Sequence, residues 1–277
     1  DYWRDGLPHL DSITFRTVRD PSERLAALES GQLDMAHLKD PATVAAAREL
    51  AAAGDAQVVL DPTEPEELFL LLNQGRPPFD DLDAREAVRA AVDVEAYLDT
   101  FGEGITERAT GPFPSSSPWY AETEWPDADP GEARALVEDL EADGGDLAVE
   151  LIATKTPDDI ASATMIEGML EEAGIDVEVR YLDQQDLLLQ TSAGTYDIAL
   201  WRGFSAPDPD GDYLSWHSST SRPVGELSIN LGRLEDAEVD AALDAGRGTL
   251  DAETRTDAYA DLQQRFTEVV PYVWIHH

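Results

Sequence analysis

The first sixty residues alternate between short apolar runs and helical segments. The apolar, β-rich runs have the length and spacing of strands at 13–18, 33–36 and 58–60. Asp20-Pro21 and Asp40-Pro41 each open a helical segment, because Asp caps a helix and proline fits its first turn. This β-α-β-α-β order predicts one edge of an α/β lobe.

A second alternating unit follows residue 74. Its helices are predicted over 83–101, 131–142, 157–173, 184–193, 236–246 and 252–269. Its strands are predicted over 147–153, 175–182 and 196–201. The regular exchange of strand and helix predicts a parallel sheet with helices on its faces, interrupted by a long loop at 111–130.

Two further apolar strands, at 68–73 and 271–275, flank this unit. Pro77-Pro78 follows the first of them and stiffens the chain where it leaves one unit for the next. The predicted fold class is therefore α/β, with one complete lobe over 74–268. Two strands join that lobe to part of another.

The charge is far from balanced. The 277 residues include 58 acidic and 19 basic side chains, which gives a net charge of −39, and the only lysines are Lys39 and Lys155. Nucleic acids and anionic membranes would repel such a chain. The acids are spread through periodic segments rather than gathered in a tail, which favours a halophilic source.

Catalytic and metal-binding signatures are missing from the sequence. The chain has no cysteine and five histidines, and it matches no nucleophile, phosphate-loop, dinucleotide or zinc-protease motif. The run 208–212 resembles the start of a calcium loop, but Tyr213 and Ser219 stand where an EF-hand needs Gly and Glu. We therefore expect a turn rather than a metal site, no cofactor and no enzyme activity.

The most informative stretch is 195–211, where an apolar strand ending at Trp201 runs into a loop of Gly, Ser, Pro and Asp. Such an ending leaves backbone groups free to pair with an extended ligand, and nearby aromatic rings can wall its pocket. The loop aromatics are Trp119, Tyr120, Trp125, Trp201, Phe204, Tyr213 and Trp216. Phe204 suits pocket and core equally, whereas Trp3 and Trp274 are expected in the core.

Several segments share their order and spacing with one known family. They are Asp1-Tyr2-Trp3 with Leu10-Asp11-Ser12-Ile13, then 24–34, 73–93, 195–211, 238–244, Arg255 with Tyr259, and Pro271-Tyr272-Val273-Trp274. Together they resemble the family 5 solute-binding proteins of ABC importers, which bind oligopeptides, dipeptides, nickel and related solutes. The resemblance implies a type II periplasmic-binding-protein-like fold, whose two lobes close on a solute and deliver it to a membrane permease.

The resemblance also implies how the chain is divided. Residues 1–66 would be part of lobe I and 74–268 would be lobe II, with crossing strands at 67–73 and 269–277 and a hinge at Asn73 and Val270. Family members are longer, so we expect an export signal and a lipid anchor outside this chain. The protein would be an extracytoplasmic monomer whose partners are a solute and permease subunits.

The solute is expected beyond the strand 196–201. The candidate residues are Trp201, Arg202, Gly203, Phe204, Ser205, Ala206 and Asp208, with Trp119 or Tyr120 nearby. Peptide binders of the family carry an Asp in this loop that pairs with the ligand's amine, but the ungapped position here is Ala206. Either Asp208 takes that role or the solute is not a free-amine peptide.

Two other classes of function stay open. One is a salt-adapted hydrolase that uses two carboxylates, and the other is a sensor or structural fragment that keeps the fold but binds nothing. A hydrolase requires titratable groups with shifted pKa values converging in one cleft, whereas a binding protein requires a mostly apolar cleft.

The net charge of −39 predicts that stability depends on salt. Repulsion between the acids acts over about 30 Å at 0.01 M salt and over about 3 Å at 1 M. Thermal melts at these two ionic strengths should give the higher midpoint at 1 M. An equal or higher midpoint at 0.01 M would contradict the prediction.

Overall fold

The computed structural model describes residues 3–59, 66–142, 144–145, 147–204 and 206–277, except for the side chain of Phe204. The chain divides into two compact units, Asp1–Val59 and Leu60–His277. The first holds two helices, and the second holds a five-stranded sheet with helices on both faces.

Both helices of the first unit begin where the sequence predicts. They are α1 (Pro21–Glu29) and α2 (Pro41–Ala53). The Asp20 and Asp40 carboxylates accept backbone N–H groups of the first turns at 3.0 Å, which satisfies donors that a helix leaves open. Gly54 ends α2 in the left-handed conformation at φ 86°.

The strands predicted at 13–18 and 33–36 are not formed, and 58–60 lies partly outside the described residues. These segments pair with no strand in the described part of the chain, and the Phe15 side chain is 91% exposed. An apolar run becomes a strand only where a neighbour accepts its backbone hydrogen bonds. Trp3, expected in the core, is 75% exposed and lies against the Arg4 guanidinium.

The second unit contains five strands and eight α-helices among its described residues. The strands are β1 (Glu66–Leu72), β2 (Ala148–Thr154), β3 (Asp176–Leu182), β4 (Ile198–Phe204) and β5 (Tyr272–His276). The helices are α3 (Leu82–Ala91), α4 (Val94–Phe101), α5 (Pro130–Ala142), α6 (Pro157–Glu172), α7 (Gln184–Ala193), α8 (Tyr213–Trp216), α9 (Ala237–Arg247) and α10 (Ala252–Val269). Short 3₁₀ turns lie at Pro209–Asp212 and Ser218–Thr220.

The sheet has the order β3-β2-β4-β1-β5. β2 pairs in parallel with β3 and β4, as predicted, but β1 is antiparallel to both of its neighbours, β4 and β5. The two flanking strands of the sequence therefore lie next to each other inside this sheet. The parallel arrangement predicted for β2, β3 and β4 is observed, and the sheet is extended by β1 and β5, with β1 running antiparallel between β4 and β5.

The two faces of the sheet bury different side chains of the same strands, because consecutive residues of a strand point to opposite faces. Leu68, Leu70 and Leu72 of β1 belong to the core that includes α3, α5 and α6. Phe69 and Leu71 belong to the core on the other face, with α9 and α10. Trp274 lies in this second core, as expected.

Two predicted elements have different boundaries in the structure. The helix predicted over 83–101 is two helices, because the Asp93 carboxylate accepts the Ala96 N–H at 2.9 Å and starts α4 anew. The strand predicted to end at Trp201 continues to Phe204. Its last residues pair with β1, from Leu68 with Arg202 to Glu66 with Phe204.

The ends of β1 and α10 are held by buried polar groups. The Asn73 side chain, fully buried after β1, donates to the carbonyls of Gly194 and Tyr196 at 2.9 and 2.8 Å. The Arg85 guanidinium donates to the Val269 carbonyl at 2.9 Å and to the Phe79 carbonyl at 2.7 Å, so it links two segments of the backbone. Val270 then adopts φ 45°, a strained conformation for a β-branched residue.

Candidate functional site

A cavity of about 430 Å³ lies on the face of the sheet formed by β1, β4 and β5. It is the size of a small-molecule site, and most of its lining is apolar or aromatic. The lining residues are Glu67, Phe69, Leu71, Gln184, Leu188, Trp201, Arg202, Gly203, Asp212, Ser215, Trp216, Ile229, Leu231, Tyr272 and Trp274.

Aromatic side chains of β1, β4 and β5 form one wall of the cavity, because alternate residues of each strand point to the same face of the sheet. Phe69 of β1 lies between Tyr272 and Trp274 of β5, with ring centroids 5.0 and 5.2 Å away in edge-to-face arrangements. Such edge-to-face pairs stabilise the packing beyond the burial of the rings themselves. Trp201 contributes from β4, so three neighbouring strands form one wall of the cavity.

Gly203 leaves room where β4 passes β1. It stands opposite Glu67 in the strand register. A Cβ at Gly203 would come within 3.0 Å of the Phe69 ring and 3.4 Å of the Glu67 carboxylate. A side chain here would therefore press on the wall of the cavity.

Two carboxyl groups line this cavity. Burial, reinforced by the charge of Asp212, raises the pKa of Glu67 well above its ordinary value. Burial also raises the pKa of Asp212 to about 6, although the Ala206 N–H donates to its carboxylate at 3.3 Å. Both groups are therefore less acidic than a carboxyl in water.

The Asp208 carboxylate is paired with Arg255 and does not line the cavity. Its two carboxylate oxygens accept hydrogen bonds from the Arg255 guanidinium at 2.5 and 3.0 Å, which lowers the pKa of Asp208. The Trp119 indole donates to the Pro207 carbonyl at 3.2 Å, and the Arg255 guanidinium lies over the Trp119 ring. Trp119 therefore holds the loop in place, as an anchoring tryptophan would.

The predicted site residues fall into three groups. Trp201, Arg202 and Gly203 line the cavity. Ala206 does not line it, but its backbone N–H donates to the carboxylate of the lining residue Asp212. Asp208, Trp119 and Tyr120 do not line it. Ser205 and the side chain of Phe204 lie outside the described residues.

Sequence reasoning missed Glu67, Asp212, Tyr272 and Trp274 as cavity residues. One local signal was present for Glu67, since it is one of two acids that open a strand whose other five residues are apolar, and it lies two positions before Phe69. Asp212 reaches the cavity only because the loop folds back on Ala206. That contact depends on tertiary structure and leaves no local pattern.

Two negative findings apply to the described residues. No group of three or more His, Asp or Glu side chains among them is arranged to hold a metal ion. A search of the same residues for a helix with the length and apolar character needed to cross a membrane found none.

The raised pKa of Asp212 predicts a pH-dependent effect of removing its charge. Between about pH 4 and pH 6 the folded protein holds a proton that the unfolded chain has released, so this group's contribution to stability falls as pH rises. Asp212→Asn should therefore be more stable than the parent at pH 7.5, by up to about 3 kcal/mol, and nearly equal to it at pH 4. Urea unfolding at the two pH values measures the difference.

The matched control is Asp261→Asn, which removes one exposed acid from α10 and so corrects for the change in net charge. An equal gain from both variants, or a gain from Asp212→Asn that is the same at both pH values, would show that burial of Asp212 is not the cause.

Two curated proteins are similar to this chain in sequence. The chain is 28% identical to the probable di/tripeptide-binding protein 5 of Pseudomonas aeruginosa, over 98% of this chain and 51% of the relative. It is 26% identical to the glutathione-binding protein GsiB of Salmonella typhimurium, over 98% of this chain and 53% of that protein. The chain thus spans about half the length of the curated relatives it matches.

Solved structures share the fold. The periplasmic binding protein DppA of Helicobacter pylori, in complex with the peptide STSA, superposes with a TM-score of 0.78 at 20% identity, over 94% of this chain and 50% of DppA. NikZ of Campylobacter jejuni, in complex with Ni(L-His), superposes with a TM-score of 0.75 at 20% identity, over 94% of this chain and 53% of NikZ. The expected periplasmic-binding-protein-like α/β fold is confirmed.

A sequence profile of the family described as bacterial extracellular solute-binding proteins, family 5 (middle) matches residues 1–225. That match covers more than half of the chain and agrees with the relatives and with the fold. The chain therefore belongs to the bacterial extracellular solute-binding proteins of family 5, a family of binding proteins rather than of enzymes.

Proposed function

We propose that the whole protein is the solute-binding component of an ABC importer. It captures a peptide or another small solute between two lobes and delivers it to permease subunits in the membrane. The observation that carries this proposal is the aromatic-walled cavity on the β1, β4 and β5 face, in a chain that belongs to a family of solute-binding proteins. Relatives named for di/tripeptides and glutathione support a peptide-like solute.

The backbone of β4 supports binding of an extended solute. The pairing of β4 with β2 covers only Ile198 and Ala199, although β4 continues to Phe204. Beyond Ala199, the β2-facing edge of β4 has no strand partner among the described residues. An extended solute can supply that partner with its own N–H and C=O groups.

The solute site in this proposal includes the whole end of β4 and the loop after it. Trp201, Arg202 and Gly203 contribute from the cavity wall, and Phe204, Ser205 and Ala206 extend the site along the chain. Asp208, with Trp119 and Tyr120 near it, forms the outer rim. Since Arg255 already neutralises Asp208, we assign Asp208 to holding the loop rather than to the solute's amine.

The lobes follow the division that the family resemblance implies. Residues 1–66 belong to lobe I and 74–268 form lobe II, with 67–73 and 269–277 crossing between them. Asn73 and Val270 then act as the hinge about which the lobes close. The adjacency of β1 and β5 and the left-handed Val270 support this assignment.

The cellular setting of the proposal follows from the family and the charge. The protein works outside the cytoplasm as a monomer, and a lipid anchor in the whole protein holds it near its permease. Its net charge of −39 disfavours nucleic acids as partners and suits a surface adapted to high salt.

The proposal predicts that the whole protein binds one class of solute through the end of β4. A thermal-shift screen of dipeptides, tripeptides, glutathione, nickel–histidine and sugars should raise the melting midpoint with one class, because a ligand that binds only the folded state stabilises it. Trp201→Ala should then weaken binding about tenfold or more by calorimetry, because Trp201 lines the cavity and a few central aromatic residues carry most of the binding energy of a site.

Two variants complete the experiment. Asp208→Ala should weaken binding less than Trp201→Ala, because its carboxylate is already bound to Arg255. Glu171→Ala, on the exposed end of α6, should bind like the parent. If Trp201→Ala and Asp208→Ala both bind as tightly as the parent, the solute site lies elsewhere.

A further inference from the structure

One oxygen of a buried carboxyl group in the cavity lining has no hydrogen-bond partner among the described residues. Glu67 is only 4% exposed, and its Oε1 atom accepts no hydrogen bond from the described residues. Burying a carboxyl group without a hydrogen-bond partner is costly, so such a group in a folded protein needs an explanation.

A second unpartnered polar atom belongs to another residue of the cavity lining. The Nε1 atom of Trp274 is buried and donates to no described residue, and Trp274 lines the cavity together with Glu67. The lining therefore includes one residue with a free acceptor and one with a free donor. A ligand that satisfies both must bring a hydrogen-bond donor and an acceptor.

No cation is paired with Glu67 or Asp212 among the described residues. Arg202 is the one basic residue among those that line the cavity, and its guanidinium is bound to Glu66 at 2.8 Å and to Asp159 at 3.0 Å. Glu66 and Glu67 point to opposite faces of the sheet because they are consecutive in β1. The positive charge of Arg202 is therefore used on the other face.

The rings around the carboxylates favour the same type of ligand. Phe69, Trp201, Trp216, Tyr272 and Trp274 line the cavity beside Glu67 and Asp212. The faces of aromatic rings attract cations, and carboxylates accept strong hydrogen bonds from cationic N–H groups. Aromatic rings and unmatched carboxylates in one cavity thus suit a positively charged nitrogen.

We propose that Glu67, assisted by Asp212, binds a cationic N–H group of the solute, while the Trp274 indole donates to an acceptor on the same molecule. This assignment rests on the proposed function and adds to it the chemical class of the solute, an ammonium or guanidinium compound. It also moves the charge-recognising group from the loop at Asp208 to the strand β1.

The surroundings of Glu67 support a coupling between binding and protons. Asp212 and Tyr272 are the titratable groups beside it, while Arg202 is bound on the opposite face. The lining residues from α7 and α8 are uncharged. A cation binds best when Glu67 is ionised, so affinity should rise with pH as the raised pKa of Glu67 is crossed.

The test compares matched solutes on the whole protein by calorimetry. The probes are alanyl-alanine, lysine, arginine, glutathione and an ammonium-free partner for each, such as N-acetyl-alanyl-alanine. We expect a cationic probe to bind, its neutral partner to bind at least about tenfold more weakly, and Glu67→Gln to lose about tenfold or more for the cationic probe. Asp212→Asn should lose less, because its role is to assist.

Stability separates recognition from a structural role. Glu67→Gln keeps the shape of the side chain and removes a buried charge, so it should unfold at the same or a higher urea concentration than the parent. Glu178→Gln, an exposed acid of β3, is the control for the lost charge and should bind like the parent.

Each result has one meaning. If a solute binds the parent and Glu67→Gln equally well, or if only neutral solutes bind, the inference is wrong and the proposed function stands, with the free oxygen of Glu67 bonded to water. If no solute of any class binds the whole protein, the proposed function fails and the inference fails with it.

Discussion

The strand β1 determines both faces of the sheet, because its side chains alternate between them. Leu68, Leu70 and Leu72 enter the core under α3, α5 and α6, while Phe69 and Leu71 face the cavity side. The antiparallel register with β4 places Glu67 opposite Gly203 and extends β4 beyond Trp201. A slip of one residue would exchange the two sets of side chains, so the core and the cavity depend on the same register.

The loop after β4 completes the cavity through a close backbone turn. A Cβ on Gly211 would lie 2.4 Å from the Ala206 side chain, so a glycine is needed for the turn to close. The closed turn brings the Asp212 carboxylate to the Ala206 N–H and into the cavity. Meanwhile Asp208 faces away and pairs with Arg255, so neighbouring acids of one short loop have separate roles.

Much of the fold could be predicted from the sequence where the signals are local. The helices that begin after Asp20, Asp40 and Thr156 start as expected, because capping side chains act on the next turn of the chain. The end of β4 could not be predicted, since residues 202–204 are held extended by β1, more than a hundred positions away. The strand predicted at 13–18 is not formed, because its apolar residues have no neighbouring strand in the described part of the chain.

Part of the candidate site could likewise be predicted from local sequence, and part of it depends on tertiary structure. Trp201 and Gly203 were chosen as site residues from the local sequence, and both line the cavity. The opposite side of the cavity could not be predicted, because Glu67, Tyr272 and Trp274 come together only through pairing of β1 with β5 and β4. The overall charge gave no help for Glu67, since the chain has 58 acids and most of them lie on the surface, which hides a buried one.

The most direct test of this account is a crystal structure of the whole protein with the solute found in the binding screen. We predict that the solute lies against Phe69, Trp201 and Trp274, with a cationic nitrogen about 3 Å from the Glu67 carboxylate. A solute bound away from the face formed by β1, β4 and β5, with only water at Glu67, would contradict the account.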